Sequence, residues 1–387
     1  MQEIFKTLRE YDDSGQIFKS VPIFSKRRHL VTHDESTFNA NDGSSYSWKK
    51  GGSEWLKPKS RGKGIMISDF LCAAIGRLSY YDNTEGKRVY ATEIIKYGSG
   101  KSDEGWWNAE KMVEQTRKAI DIFNTAFPND IAVFAFDNSS GHACKAPDAL
   151  NAYRMNLNPG GKQPLMHDTA FYRLDGSLQL QYMSFQPFDS EWDTDELIPA
   201  ELIGKPKGIK RVLQERGLWI PGLKKQCGRQ KKDKNTYFGD RLFEETMEEY
   251  DARVSDRCEA GKSCCALRTL EAQQDFREEK SMLEHIITAA GHEIIFYPKF
   301  HCELNYIEYY WASLKKFTRE NCKYSFVELE KTVLQAMDSV SLKTIRRFAD
   351  RSKRWMMAYI NGLTEEQRSY AEKQYKSHRR ATRDVFV

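Results

Sequence analysis

The clearest apolar signal in the chain is IAVFAF at 131–136, an unbroken run that stops at Asp137. A short apolar run bounded by turn residues predicts a central strand buried on both faces. Upstream, Met112, Val113, Thr116, Ile120, Phe123 and Phe127 recur at helical spacing within 106–128, predicting an amphipathic helix closed by Pro128. Earlier still, RRHLVTHDESTF (27–38) predicts a short buried strand ending in polar residues. GKGIMISDFLCAAIGRLS (62–79) predicts one or two strands and KRVYATEIIKYG (87–98) another, with short turns that suggest a meander. From about 143 to 285 the pattern weakens and most of the prolines occur; helices are expected only within 208–219 and 279–291. HEIIFYP (292–298) returns to strand character, and helices are predicted over 306–321, 325–340 and 342–361.

Strands, a helix and then a fully buried strand imply an α/β domain with a mixed sheet flanked by helices. The weakly patterned middle reads as a large insertion that interrupts this domain, and the helical end as a cap. The expected division is an N-terminal arm at 1–27, a core at 28–142, an insertion at 143–285, the rest of the core at 286–325 and a helical basic region at 326–387. A length of 387 residues fits two or three such units.

Composition narrows the class. Apolar residues are 40% and aromatics 12%, enough for a substantial core. No apolar run approaches the ~18 residues of a membrane helix, and MQEIFKTLREYDDSG is no secretory signal, so an intracellular protein without a membrane partner is expected. Eight cysteines are too sparse for a disulfide scaffold, so thiols are expected reduced. Net charge is only +5, but the basic residues cluster. Lys57, Lys59, Arg61 and Lys63, then Lys224, Lys225 and Arg229, then Arg346, Arg347 and Arg351 form three runs, and the tail adds a fourth. Any one run is ordinarily a solvated face; four together point to a polyanion.

Acids placed where buried strands stop are costly unless paired or used. Asp34 follows HLVTH, Asp137 follows IAVFAF, and Glu308 opens the helix after HEIIFYP. Three carboxylates from three elements at the strand ends would suit a pair of divalent ions in phosphoryl displacement. Each acid alone also has a structural reading: a turn at Asp34, an Asx-turn at Asp137, and a capping box with Asn305 as N-cap and Glu308 as its partner. Glu303 and Glu308 lie about 140° apart on a helical wheel, and Glu308 borders the stripe of Ile307, Tyr310, Trp311, Leu314 and Phe317, so Glu308 is the better site candidate.

VTHDESTF, FAFDNSSGH and PKFHCELNYIEYYWASLKK resemble, in order and in flanking residues, the three catalytic blocks of mariner-like transposases, and of their fungal-type DDE superfamily endonuclease branch in particular. The resemblance covers about 28–142 and 286–325. It implies an RNase H-like fold and carries over Asp34, Asp137 and Glu308 as the catalytic and metal-binding triad for two Mg²⁺ or Mn²⁺ ions. It implies double-stranded DNA, as transposon ends and target, as partner, a nuclear location, and pairing of two ends that suggests a homodimer. Asn138, His142 and Asn305 would support the triad. Two departures mark this chain: 33 residues precede Asp34, where the family carries helix-turn-helix readers, and 171 positions separate the last two acids. A DNA reader is therefore expected to be missing or supplied in trans. The alternative is a domesticated, catalytically inactive DNA-binding protein, and a third reading is a nuclease for RNA–DNA hybrids.

Cys227, Cys258, Cys264, Cys265 and His301 are the candidates for a structural zinc ion that would staple the insertion to the core. Their spacing gives no clean C-x₂₋₄-C pairs, and the competing reading is buried thiols packing as small apolar groups.

Overall fold

The structure is a computed structural model that describes residue 8 and residues 26–44, 58–97, 105, 107–139, 141–173, 175–192, 194, 196–226, 265–360 and 362. The described chain divides into two compact units, one of residues 145–280 and one of the residues on either side.

The flanking unit is built on one mixed sheet. Its strands are β1 (Arg28–Asn39), β2 (Gly64–Cys72), β3 (Gly76–Arg77), β6 (Glu93–Tyr97), β7 (Ile131–Phe136) and β10 (Glu293–Phe296), while β4 (Ser79–Asp82) and β5 (Lys87–Tyr90) form a separate hairpin. The order is β10-β7-β1-β2-β3, with β6 also pairing β2. β1, β7 and β10 run parallel; β2 is antiparallel to β1, β3 and β6.

Both faces are covered, as a parallel centre requires. On one face lies α1 (Ala109–Ala126), started by Asn108, whose side chain accepts the Lys111 amide. Its apolar stripe packs with α5 (Met282–Ala289) against Val31, Phe70, Phe134 and Phe136. The other face carries α6 (Ile307–Glu320), α7 (Phe326–Ser339) and α8 (Leu342–Ile360). There Tyr306, Ile307, Tyr310, Trp311 and Leu314 bury against Phe38, Ile65, Ile67 and Leu71. At ~25 cal/mol per Å² of apolar surface, these large side chains dominate the packing of α6 on the sheet. The unit closes on itself where the Met282 amide donates to the Cys144 carbonyl at 2.9 Å.

Residues 145–280 have their own core of Leu150, Met155, Met166, Ile209, Leu213, Leu267, Leu270 and Phe276. It is enclosed by the hairpin β8 (Thr169–Tyr172) and β9 (Leu178–Gln181) and by the short helices α2 (Ile209–Glu215), α3 (Ala266–Glu271) and α4 (Gln274–Arg277). Beside that core, Arg216 makes two hydrogen bonds to Asp275, at 2.9 and 2.7 Å, with both side chains buried.

Three expectations need correction. β1 does not stop at Asp34 but runs on to Asn39, because its second half is held by β2, with Asp34 opposite Asp69. The segment 87–98 holds two strands, split at Ala91–Thr92. The helix after β10 starts at Ile307 with Tyr306 as N-cap and no capping box; Asn305 is turned instead toward β1.

Candidate active site

Register explains how two acids far apart in sequence become neighbours. In the parallel β1–β7 ladder Thr32 lies opposite Ala135. Continuing that register by two residues sets Asp34 level with Asp137, the first residue past the end of β7. β10 pairs Phe296 with Phe136, so the chain leaves the sheet at Tyr297 beside Asp137. The loop from Tyr297 then leads into α6, whose first turn carries Glu308. Strand ends in open α/β sheets are where ligand crevices form. Here a cavity of about 270 Å³ is lined by Asp137, Asn138, Lys299, Asn305 and Glu308 among others.

Alternation along β1 divides its side chains between the two faces. Thr32 and Asp34 point to the α6 side. The Thr32 hydroxyl donates to the Asn305 side chain, whose amide donates to the His33 carbonyl at 3.0 Å. The Trp311 indole donates to Asp34 at 3.1 Å. These bonds tie the start of α6 to β1 and so fix Glu308 relative to Asp34. His33 and Glu35 point to the α1 side, where His142 meets them.

The tautomer of His33 follows from the hydrogen-bond chain. The Gln115 amide donates to the carbonyls of Ser68 and Ala91, so its oxygen is an acceptor. The Ser68 hydroxyl donates to that oxygen and accepts from His33 Nε2, which must therefore carry a proton. Burial holds His33 down at about 4, so it is neutral at physiological pH.

His142 is the opposite case. Burial opposes its charge, but contacts with Asp137 and Glu35 outweigh burial and lift it to about 10. One ring nitrogen meets the Asp137 carboxylate and the other lies 3.5 Å from Glu35. Against burial, His142 holds Asp137 below its ordinary value, and His33 and His142 do the same for Glu35. The other two acids, Asp34 and Glu308, behave differently. Burial, then the charges of Glu308, Glu35 and Asp137, push Asp34 well above the carboxylate range. Burial also raises Glu308; Lys315 opposes this and Asp137 adds to it. Burial first, and the like charges around it second, thus oppose ionisation of Asp34.

Among the described residues, Asp34, Asp137 and Glu308 do not form a group whose ligand atoms all lie within 4.8 Å of one another; Asp137 and Glu308 line one cavity, their hard oxygen donors would suit Mg²⁺ or Mn²⁺, and bound positive charge would relieve Asp34. A second set, His33, Glu35 and His142, places one ligand atom each within 4.8 Å of the others. It fits an ion less well, because His142 is held protonated between Asp137 and Glu35 and has no lone pair to offer, although His33 Nδ1 is buried without a hydrogen-bond partner among the described residues.

The remaining candidates divide. Asn138 is exposed on the cavity. Of the zinc candidates, Cys227, Cys258 and Cys264 lie outside the described residues. Cys265 is buried in the core of residues 145–280, and His301 is engaged by Glu303 at 2.8 Å and the Tyr359 hydroxyl at 3.0 Å. Among the described residues no group of these side chains assembles as a zinc site. Lys57 and Arg229 also lie outside the described residues. Lys59, Arg61, Lys63, Lys224 and Arg347 are exposed, Lys225 is half-buried, and Arg351 lies over the Tyr309 ring at 4.8 Å. Arg346 is not a surface cation. It is buried and donates to the carbonyls of Ala73 and Ala74, anchoring α8 to the sheet. Sequence reasoning missed Glu35 and Trp311; the strict alternation of HDES was the signal for the first, and an indole one turn from Glu308 for the second.

No protein-family model and no curated protein sequence matches the chain. Part of it is similar to solved Mos1 structures. Against the mariner Mos1 paired end complex with Mg, identity is 18%, coverage is 30% of each chain and the TM-score is 0.22. Against a pre-cleavage Mos1 transpososome, identity is 16%, coverage 30% of this chain and 31% of that one, and the TM-score 0.22. The chain thus spans about 30% of the length of those proteins, and likeness of this extent transfers none of their chemistry.

Proposed function

We propose that this protein is a divalent-metal-dependent DNA endonuclease and strand transferase of the mariner-like transposase type, on an RNase H-like catalytic core. The observation that supports it most is the register of adjacent parallel strands that sets Asp34 level with Asp137, with Glu308 close enough to raise Asp34. The three motif blocks that resemble the family fall on these three residues. In this reading Asp34, Asp137 and Glu308 hold two Mg²⁺ or Mn²⁺ ions, which supply Lewis-acid stabilisation of the attacking and leaving oxygens of a phosphodiester.

The protein's own groups do the positioning. Trp311 fixes one oxygen of Asp34 by its indole hydrogen bond. Asn305 locks α6 to β1 and with it the separation of Glu308 from Asp34. His142 restrains Asp137 and Glu35 together. The exposed cations Lys59, Arg61, Lys63 and Arg347 would bind DNA phosphates, and such binding weakens steeply with salt. Action in the nucleus and pairing of two chains across two DNA ends belong to the same reading.

One observation favours a second reading, a catalytically silent DNA-binding protein: the His142 imidazolium already neutralises Asp137. Supercoiled plasmid nicking in Mg²⁺, alongside filter binding across a salt series, separates the two. The endonuclease reading expects nicking that Asp34→Asn or Asp137→Asn abolishes. Nicking that survives both substitutions, or salt-sensitive binding with no nicking in Mg²⁺ or Mn²⁺, rejects it.

A further inference from the structure

Phe300 is 99% exposed, well beyond any other large apolar side chain among the described residues. Its φ is +66°, a left-handed conformation that an aromatic residue rarely adopts. It therefore incurs both backbone strain and exposure of its ring. Such outliers persist where the surrounding structure enforces them, and they cluster at functional sites.

The surroundings do enforce it. Before Phe300, the Tyr297 amide donates to the Phe136 carbonyl at 2.8 Å, and its buried hydroxyl meets Thr32 at 3.3 Å. After Phe300, Glu303 is held by His301 at 2.8 Å and by the Tyr359 hydroxyl at 2.5 Å, and its carbonyl accepts from Ser352 at 3.0 Å. The loop between these anchors lifts the Phe300 ring to the rim of the cavity that holds Asp137 and Glu308.

The flanking residues indicate what the ring meets. Lys299 is an exposed cation, and Pro298 and His301 complete the loop. A protein interface needs a contiguous apolar patch; this is one ring beside one cation, which matches the base and phosphate of a nucleotide. We propose that Phe300 stacks on an unpaired nucleobase next to the scissile phosphate, with Lys299 on the adjoining phosphate, making Phe300 a substrate-positioning residue. The proposal rests on the DNA-cleaving reading of the site, and it adds a preference for DNA that is locally unpaired there.

The test compares a fluorescein-labelled blunt duplex with the same duplex bearing a short single-stranded overhang, by anisotropy, with Ca²⁺ in place of Mg²⁺. Stacking one base is worth roughly fivefold or more in affinity. The wild type is expected to prefer the overhang by at least that factor. Phe300→Ala loses the preference while keeping blunt-duplex affinity and its salt slope, and Phe300→Trp retains it. The proposal is overturned if the wild type shows no preference, or if Phe300→Ala keeps it. It is equally overturned if Phe300→Ala alters only self-association in sedimentation, which would make the ring a contact with a second copy. Plasmid nicking in Mg²⁺ keeps the two claims apart. A Phe300-dependent preference without nicking retains the stacking and rejects the endonuclease, and nicking with an unchanged Phe300→Ala preference does the reverse.

Discussion

Asn305→Ala removes the residue that couples the third acid to the first. Asn305 is buried; it accepts from the Thr32 hydroxyl, donates to the His33 carbonyl at 3.0 Å and accepts weakly from the Ile307 amide at 3.4 Å. A net hydrogen bond is worth ~1 kcal/mol, and a buried polar partner left unsatisfied costs ~1–3 kcal/mol. The Thr32 hydroxyl retains the Tyr297 hydroxyl at 3.3 Å, which limits the loss on that side. The expected destabilisation is ~2–4 kcal/mol. With a urea m-value of ~2–3 kcal/mol/M, the unfolding midpoint should fall by about 1 M. Thr32→Val alone should cost ~1 kcal/mol, and the double variant should lose less than the two single losses combined, because both delete the same bond. On the endonuclease reading, Mg²⁺-dependent nicking by folded Asn305→Ala should drop ~10–100-fold, the loss expected when a residue that orients a metal ligand is removed. An Asn305→Ala protein within ~0.5 kcal/mol of wild type, or strict additivity with Thr32→Val, would refute the coupling.

Asp34→Asn should stabilise the metal-free protein by ~1 kcal/mol near neutral pH and, on the metal-dependent reading, abolish any thermal stabilisation by Mg²⁺. Because burial and like charge raise Asp34 in the fold, its favourable contribution is full below its unfolded value and is lost as pH rises through the folded one, so the gain should shrink toward about pH 4; equal melting temperatures at neutral pH count against this. His292 is lowered by burial and then by Lys26, and its Nδ1 accepts the Ala132 amide at 3.4 Å. Its contribution is therefore full above the unfolded value near 6.5 and is lost as pH falls through the folded value, and His292→Gln should flatten the loss of urea stability between about pH 7 and about pH 5. Asp275→Ala strands the fully buried Arg216 guanidinium and should cost ~3–5 kcal/mol, whereas Arg216→Met with Asp275→Leu should be near neutral, both read by urea unfolding.

The sequence carried the strong periodic elements because their pattern is itself the cause of their burial. IAVFAF became β7, with Phe134 and Phe136 on the α1 side and Ala135 on the other. Met112, Ile120 and Phe123 are buried on α1 at the spacing that predicted it. The α6 stripe was legible for the same reason. What local pattern does not encode is pairing across long separations. β1 continues past Asp34 only because β2 lies beside it. Asn305 left its expected capping role because a buried hydroxyl and a carbonyl on β1 outcompete the helix's own amides for it. The β8–β9 hairpin escaped notice because each strand has only four residues, so the alternation of LQLQ is too short to stand out from a loop. Arg346 looked like part of a basic run because a buried arginine and a surface one have the same letter.

The hydrogen bond from the Met282 amide to the Cys144 carbonyl bears on how freely the intervening chain can vary in length. The chain leaves the sheet unit at Cys144 and rejoins it at Ser281, at nearly the same point in space. A polypeptide spliced into such a junction does not have to span any distance, and the entropic penalty for lengthening it grows only logarithmically. Lengthening residues 145–280 should therefore cost little at this junction and leave the strands that carry Asp34 and precede Asp137 in register.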